Sequence, residues 1–147
     1  MRIVDICSSK VEYINLNASA RDAAGKMYES QVGTLVVVPH NETRPIGIVT
    51  DRDLVLKVLA KGASAEAVSV ADVMTRDVVT CKGGQSLFDA VQIMRRYGVR
   101  RLPVVNDGGA AIGLISADDI YSALATHMRE LSEAMLREHL HEVESCL

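Results

Sequence analysis

Ile46-Gly47-Ile48-Val49-Thr50-Asp51-Arg52-Asp53-Leu54 returns near the other end of the chain as Ile112-Gly113-Leu114-Ile115-Ser116-Ala117-Asp118-Asp119-Ile120. Both copies read apolar, Gly, two apolar residues, a small hydroxyl residue, two variable positions, then Asp and an aliphatic. An apolar run that meets a hydroxyl residue with Asp three positions later predicts a strand end feeding a capped helix start.

The repetition extends outward from this pair. Val4-Asp5-Ile6-Cys7-Ser8 lines up with Ala71-Asp72-Val73-Met74-Thr75, 67 residues on. The same shift carries Ser19, Asp22 and Ala23 onto Ser86, Asp89 and Ala90, and Met27, Val32, Leu35 and Val38 onto Met94, Val99, Leu102 and Val105. Beyond that the shift is 66, so one residue has been lost in the turn between. A shift held this far marks two similar units: 1–62, then 71–126, with an Ala- and Ser-rich link at 63–70 and a helical extension at 127–147.

Each unit reads strand, helix, strand, strand, helix. The first strand is expected at 11–16 and 78–81. Ser19 and Ser86 open the first helix, whose apolar face is Ala20, Ala23, Ala24 and Met27, or Leu87, Ala90, Val91 and Met94. Gly25 inside that helix costs about 1 kcal/mol relative to Ala, which suggests close packing there. Gly33 and Gly98 stand where the helices stop. Leu35 to Val38 and Leu102 to Val105 read as buried strands. Asn106-Asp107-Gly108-Gly109 is a hairpin signal. A third strand leads into the motif, and a second helix is expected from Asp51 to Ala60 and from Asp118 onward. Units of this size close a core by packing together, so the fold expected is α/β, α+β-like: two β-α-β-β-α units packed sheet to sheet.

Composition sets limits. The 147 residues are 48% hydrophobic and 24% charged, with 3% aromatic and a net charge of −3. Few rings and an acidic balance disfavour nucleic acid as a partner. Cys7, Cys81 and Cys146 form no CxxC and read as reduced, buried or inert thiols. No apolar run approaches the ~18 residues of a membrane span, and the start of the chain has no apolar signal region, so a cytoplasmic protein is expected. His127, His139 and His141 lack metal-ligand spacing. No nucleophile–base pair, HExxH, P-loop or GxGxxG occurs, so no enzyme is expected.

The motif has two compatible readings. Thr50 with Asp53, and Ser116 with Asp119, are helix-capping boxes, and the Ser86 and Asp89 pair matches the same bare spacing. A helix start also presents unpaired N–H groups that suit an anion. An ionised Asp accepts hydrogen bonds from the paired hydroxyls of a ribose. Gly47 admits a ligand or a neighbouring backbone. Arg52 can reach a phosphate, whereas Asp118 adds negative charge to the second copy. The Arg95, Arg96, Arg100 and Arg101 cluster reads first as a solvated helix end, then as a phosphate contact.

The doubled unit, Asp72-Val73-Met74-Thr75, the run Val99-Arg100-Arg101-Leu102-Pro103-Val104-Val105 and both Gly-x-x-Thr/Ser-x-x-Asp segments resemble a tandem pair of CBS domains over about residues 1 to 126. The resemblance implies clefts between the units that bind adenosine-containing ligands. AMP is expected first, with ADP, ATP, S-adenosylmethionine or NAD as alternatives, and no cofactor is required. It also implies that Asp53 with Thr50, and Asp119 with Ser116, lie at ribose or phosphate, and that Thr34 and Arg101 line the cleft. The first unit departs from the second at Val36 for Pro103 and at Ile6-Cys7 for Val73-Met74.

Beyond the second unit, Leu124, Met128, Leu131 and Met135 are spaced 4, 3, 4, and Leu136, Leu140, Val143 and Leu147 repeat that spacing. Such stripes are helical seams. Either the helix folds back on its own domain or it pairs in a homodimer. The function expected is a non-catalytic sensor that binds an adenosine ligand and signals to a protein partner. The rival is a structural interaction or dimerisation module whose motifs are caps alone.

Overall fold

The structure, a computed structural model, describes residues 1–147. A 3-10 turn, Ile3–Asp5, precedes β1 (Tyr13–Asn15), α1 (Ala20–Ser30), β2 (Thr34–Val38) and β3 (Gly47–Thr50). The first repeat ends with α2 (Asp51–Leu54), which widens into a π-helical turn at Val55–Leu59. Then come α3 (Val70–Val73), β4 (Thr75–Arg76), β5 (Cys81–Lys82), α4 (Leu87–Tyr97), β6 (Arg101–Val105), β7 (Ala111–Ser116) and α5 (Ala117–Ser145). The sheets are β1-β2-β3-β4 and β5-β6-β7. In each, the strand before the helix pairs parallel to the strand after it, and the next strand returns antiparallel.

Alternation along β2 sends side chains to two destinations. Leu35 and Val37 join Ala20, Ala23 and Met27 in the first core, while Val36 and Val38 meet Ala111 of the other repeat. Leu102 and Val104 fill the second core with Ala90, Met94 and Ile115. The repeats thus pack sheet to sheet. Two bonds across this junction seat it: the Tyr13 hydroxyl donates to the Ala111 carbonyl, and the Ala111 N–H donates to the Thr43 carbonyl at 3.0 Å.

The cores do not follow the order of the chain at the leading end of each repeat. Ile3 is fully buried in the second core, and Val70, Val73 and Met74 are buried in the first. The hydrogen bonds repeat the exchange pair for pair. Ile3 N–H donates to Gln85 O (2.8 Å) as Val70 N–H does to Ala18 O (2.8 Å), and Leu87 N–H donates to Met1 O (3.1 Å) as Ala20 N–H does to Val68 O (2.8 Å). β4 adds to β3 through Gly47 and Ile48, and Ser8 bridges to Leu114 at the matching place. The segment 63–70, read from sequence as a link into the second unit, packs against the first: its Ala65 and Val68, with Ala71 just beyond, cover that core.

This exchange explains the motif glycines. A Cβ on Gly47 would lie 2.9 Å from Thr75 O and 2.7 Å from Met74 Sδ. One on Gly113 would lie 3.0 Å from Ser8 O and 2.9 Å from Cys7 Sγ. The neighbour that requires these glycines is the other repeat's leading segment.

Several local expectations are corrected. Val78 to Thr80 are not in a strand; pairing begins only at Cys81, opposite Val104. Gly25 has nothing within 4 Å of a built Cβ, so no close packing calls for it. The left-handed cap of α1 is Gln31 (φ 54), the counterpart of Gly98 (φ 65), and not Gly33. Cys146 is exposed, whereas Cys81 is buried and its thiol is pushed up to about 12 by that burial. From Leu124 onward α5 is exposed along its length, so the extension does not fold back on its own domain. No helix is long and apolar enough to cross a membrane.

Gly47→Ala and Gly113→Ala each force a methyl against backbone of the exchanged segment. Each is expected to lower unfolding stability by about 1–3 kcal/mol, the cost of overpacking, measured by urea denaturation. Gly25→Ala, in open space, is expected to stabilise.

Candidate functional site: a cleft between the repeats

Both motif copies are helix caps. The Thr50 hydroxyl accepts from Asp53 N–H (3.2 Å), and Asp53 Oδ2 accepts from Thr50 N–H (2.9 Å). The Ser116 hydroxyl accepts from Asp119 N–H (3.2 Å), and Asp119 Oδ2 accepts from Ser116 N–H (2.7 Å) and the Ser116 hydroxyl (2.7 Å). The same box opens α1 at Ser19 and Asp22, and α4 at Ser86 and Asp89. At Asp89 the Ser86 backbone N–H, then its hydroxyl, hold the carboxyl below its ordinary range. Capping alone therefore does not mark a site.

Position separates the boxes. The register of β6 and β7 sets Arg101 directly across from Ser116, as Thr34 lies across from Thr50. The sheet-to-sheet packing then carries the start of β2 toward the Ser116 turn. A cavity of about 280 Å³ opens between them, lined by Ser8, Lys10, Val11, Glu12, Val32, Gly33, Thr34, Val36, Arg101, Leu114, Ser116, Asp118 and Asp119. Both repeats contribute to it. Its size is near the lower end of the about 300–1,000 Å³ of small-ligand pockets.

Four of the seven residues singled out from sequence, Thr34, Arg101, Ser116 and Asp119, meet here. Thr50, Arg52 and Asp53 do not line this cavity. They stand at the start of α2, where Arg52 is exposed and Asp53 Oδ1 pairs with Lys57 Nζ at 3.0 Å. Arg100 lies 3.4 Å from Asp118 of the second copy, although both are largely exposed and the pair is weak.

Sequence reasoning missed Ser8, Lys10 and Glu12. Ser8 reaches the cavity because the exchanged segment bridges to Leu114. Lys10 and Glu12 stand where the second repeat has Asp77 and Val79, and that reversal and loss of charge at matched positions was the available signal. Lys10 Nζ donates to Ser30 O at 2.9 Å. A larger concavity, about 850 Å³, runs along the flank of α5 between Ala134 and Cys146; one helix alone forms it, with no motif residue.

The cavity's chemistry is mixed. Val11, Val32, Val36 and Leu114 offer apolar wall. Lys10 and Arg101 offer cations suited to phosphate. Asp119 offers a carboxylate whose Oδ2 is held by the cap and whose Oδ1 accepts from no side chain. Apolar wall, paired cations and an oriented acceptor are what a nucleotide requires.

A doubled β-α-β-β-α unit with exchanged leading segments and a cleft between the sheets defines a two-repeat class of fold. The CBS domain family model matches residues 3–60 and 70–126. The chain belongs to the CBS-domain family and carries the domain as a tandem pair. An uncharacterized protein of Methanopyrus kandleri, MK0525, is 39% identical over 102 residues, which cover 69% of this chain and 52% of that protein. The match spans 52%, 21% and 54% of the length of three curated relatives, this one among them, and 73% and 81% of two others. A hexameric CBS-CP12 protein from bloom-forming cyanobacteria is similar in structure, with a TM-score of 0.74, 30% identity, and coverage of 82% of this chain and 69% of that one. The CBS domain pair of protein MJ0100, solved with 5'-methylthioadenosine and S-adenosyl-L-methionine, gives a TM-score of 0.75 at 24% identity, covering 86% of this chain and 98% of that one. At that identity the likeness shows the fold alone.

Proposed function

We propose that this chain is a non-catalytic regulatory module that binds an adenosine-containing ligand in the cleft between its repeats and passes the bound state to a protein partner. The observation that carries the reading is the convergence of Asp119, Ser116, Arg101, Thr34 and Lys10 on one cavity built by both repeats. Asp119 takes ribose hydroxyls, Arg101 and Lys10 take phosphate, and the apolar wall takes the base. AMP, with one phosphate, suits a cavity of about 280 Å³ with two cations; ADP, ATP, S-adenosylmethionine and NAD are the alternatives. The MJ0100 domain pair, alike in fold, is a case in which such a pair was solved with two adenosine compounds. Because the cleft is shared, a ligand that favours one packing of the repeats shifts that equilibrium, by no more than its preference for that state.

The second reading, an interaction module, has its own support. Leu124, Met128, Leu131, Met135, Leu136, Leu140 and Val143 are all exposed on α5. A stripe of this length on a projecting helix suits pairing with a second copy, and a homodimer is part of the proposal.

AMP at about 100 times its Kd is expected to stabilise the chain by about 2.7 kcal/mol, a rise in Tm of about 5–10 °C for a chain of this size. Asp119→Ala and Arg101→Ala are expected to remove that rise in a thermal-shift assay. No shift with any of the five compounds contradicts the ligand reading and leaves the interaction module. Light scattering tests the helix: deletion of residues 127–147 is expected to halve the mass, and an unchanged dimer mass places the contact on the domain pair itself.

A further inference from the structure

The two motif copies differ in what holds the carboxylate. Asp119 is held through Oδ2 alone, by the N–H and hydroxyl of Ser116. Asp53 is held through Oδ2 by the N–H and hydroxyl of Thr50, and its Oδ1 is taken by the Lys57 ammonium at 3.0 Å. The same ammonium donates to the Val73 carbonyl at 2.8 Å, on the segment exchanged from the second repeat. The Asp53 side chain is only 16% exposed, so this pair is shielded from water far more than the surface pairs elsewhere. The counterpart of Lys57 in the second repeat is Ala123, which has nothing to donate.

We propose that Lys57 is a built-in occupant of the first motif: its ammonium holds the carboxylate oxygen that a ribose hydroxyl needs, and so restricts the chain to one nucleotide, at the Asp119 cleft. The proposal rests on the nucleotide reading given above and assigns its stoichiometry and the residue that sets it. A neutral hydroxyl competes poorly with a charge-assisted bond for one carboxylate oxygen. Displacing the ammonium would also strip the Val73 carbonyl of its side-chain donor, and Val73 is buried. Arg52 beside Asp53 can reach a phosphate, but Lys57, one helical turn further on, closes that copy.

The test is isothermal titration of the full chain with AMP. The wild type is expected to bind one AMP per chain. Lys57→Met, which keeps the length of the side chain without its charge, is expected to bind two, and Lys57→Met with Asp119→Ala is expected to return to one. Lys57→Gln, which retains a donor for Val73, provides a second uncharged variant if the methionine disturbs folding, and is also expected to bind two. Two AMP per wild-type chain, or one per chain in the folded lysine variants, overturns the role of Lys57 and leaves the nucleotide reading standing. No AMP bound by the wild type or by the lysine variants overturns both.

Discussion

Ile3 and Val70 occupy the same place in their respective repeats, and each is fully buried in the core of the other. Burial of such a side chain is worth about 1.5–3 kcal/mol, and each is tied down by matched backbone bonds, Ile3 to Gln85 and Val70 to Ala18. Neither repeat therefore completes its own core. The pair is one body, and the cleft exists because that body fixes the β2 start of one repeat against the β7–α5 turn of the other. The motif glycines serve the same constraint, since Gly47 and Gly113 are where the exchanged backbone passes within about 3 Å of a methyl's position.

The repeat, the helix caps and the apolar strands were legible because each is written locally. Ser19, Thr50, Ser86 and Ser116 all cap helices as their spacing predicts. What stayed hidden is long-range. Gly47 was read as room for a ligand or for a backbone, and only the register with Thr75 and Arg76 decides between them. Residues 63–70 look like a link because they are rich in Ala and Ser, yet Val68 and its neighbours cover the first core. Of the site, Thr34, Arg101, Ser116 and Asp119 were legible through the family resemblance. Lys10 and Glu12 were not, because nothing in a short alternating segment tells which face meets a cleft 90 residues away in sequence.

Two copies of one scaffold have acquired different chemistry. In the second, Asp119 faces a cavity with Lys10 and Arg101. In the first, Lys57 bridges Asp53 to the exchanged segment at Val73. The first copy thus ties the exchanged segment down through the carboxylate whose counterpart, Asp119, lines the cavity in the second. One side of the packing between the repeats is a fixed joint and the other opens as a cavity. The apolar stripe of α5 stands apart from both, exposed along its length.

The claim beneath this account is that the exchanged segments make the two repeats a single cooperative unit. Native-state hydrogen exchange followed by NMR tests it directly. The account predicts that the amides of Ile3, Leu87, Ala20 and Val70 open with the same free energy as those of Leu35 and Leu102 in the central strands, all at the global value. If Ile3 and Leu87, or Ala20 and Val70, open at a clearly lower free energy while Leu35 and Leu102 stay protected, the repeats are separable and the exchange is not what holds the cleft.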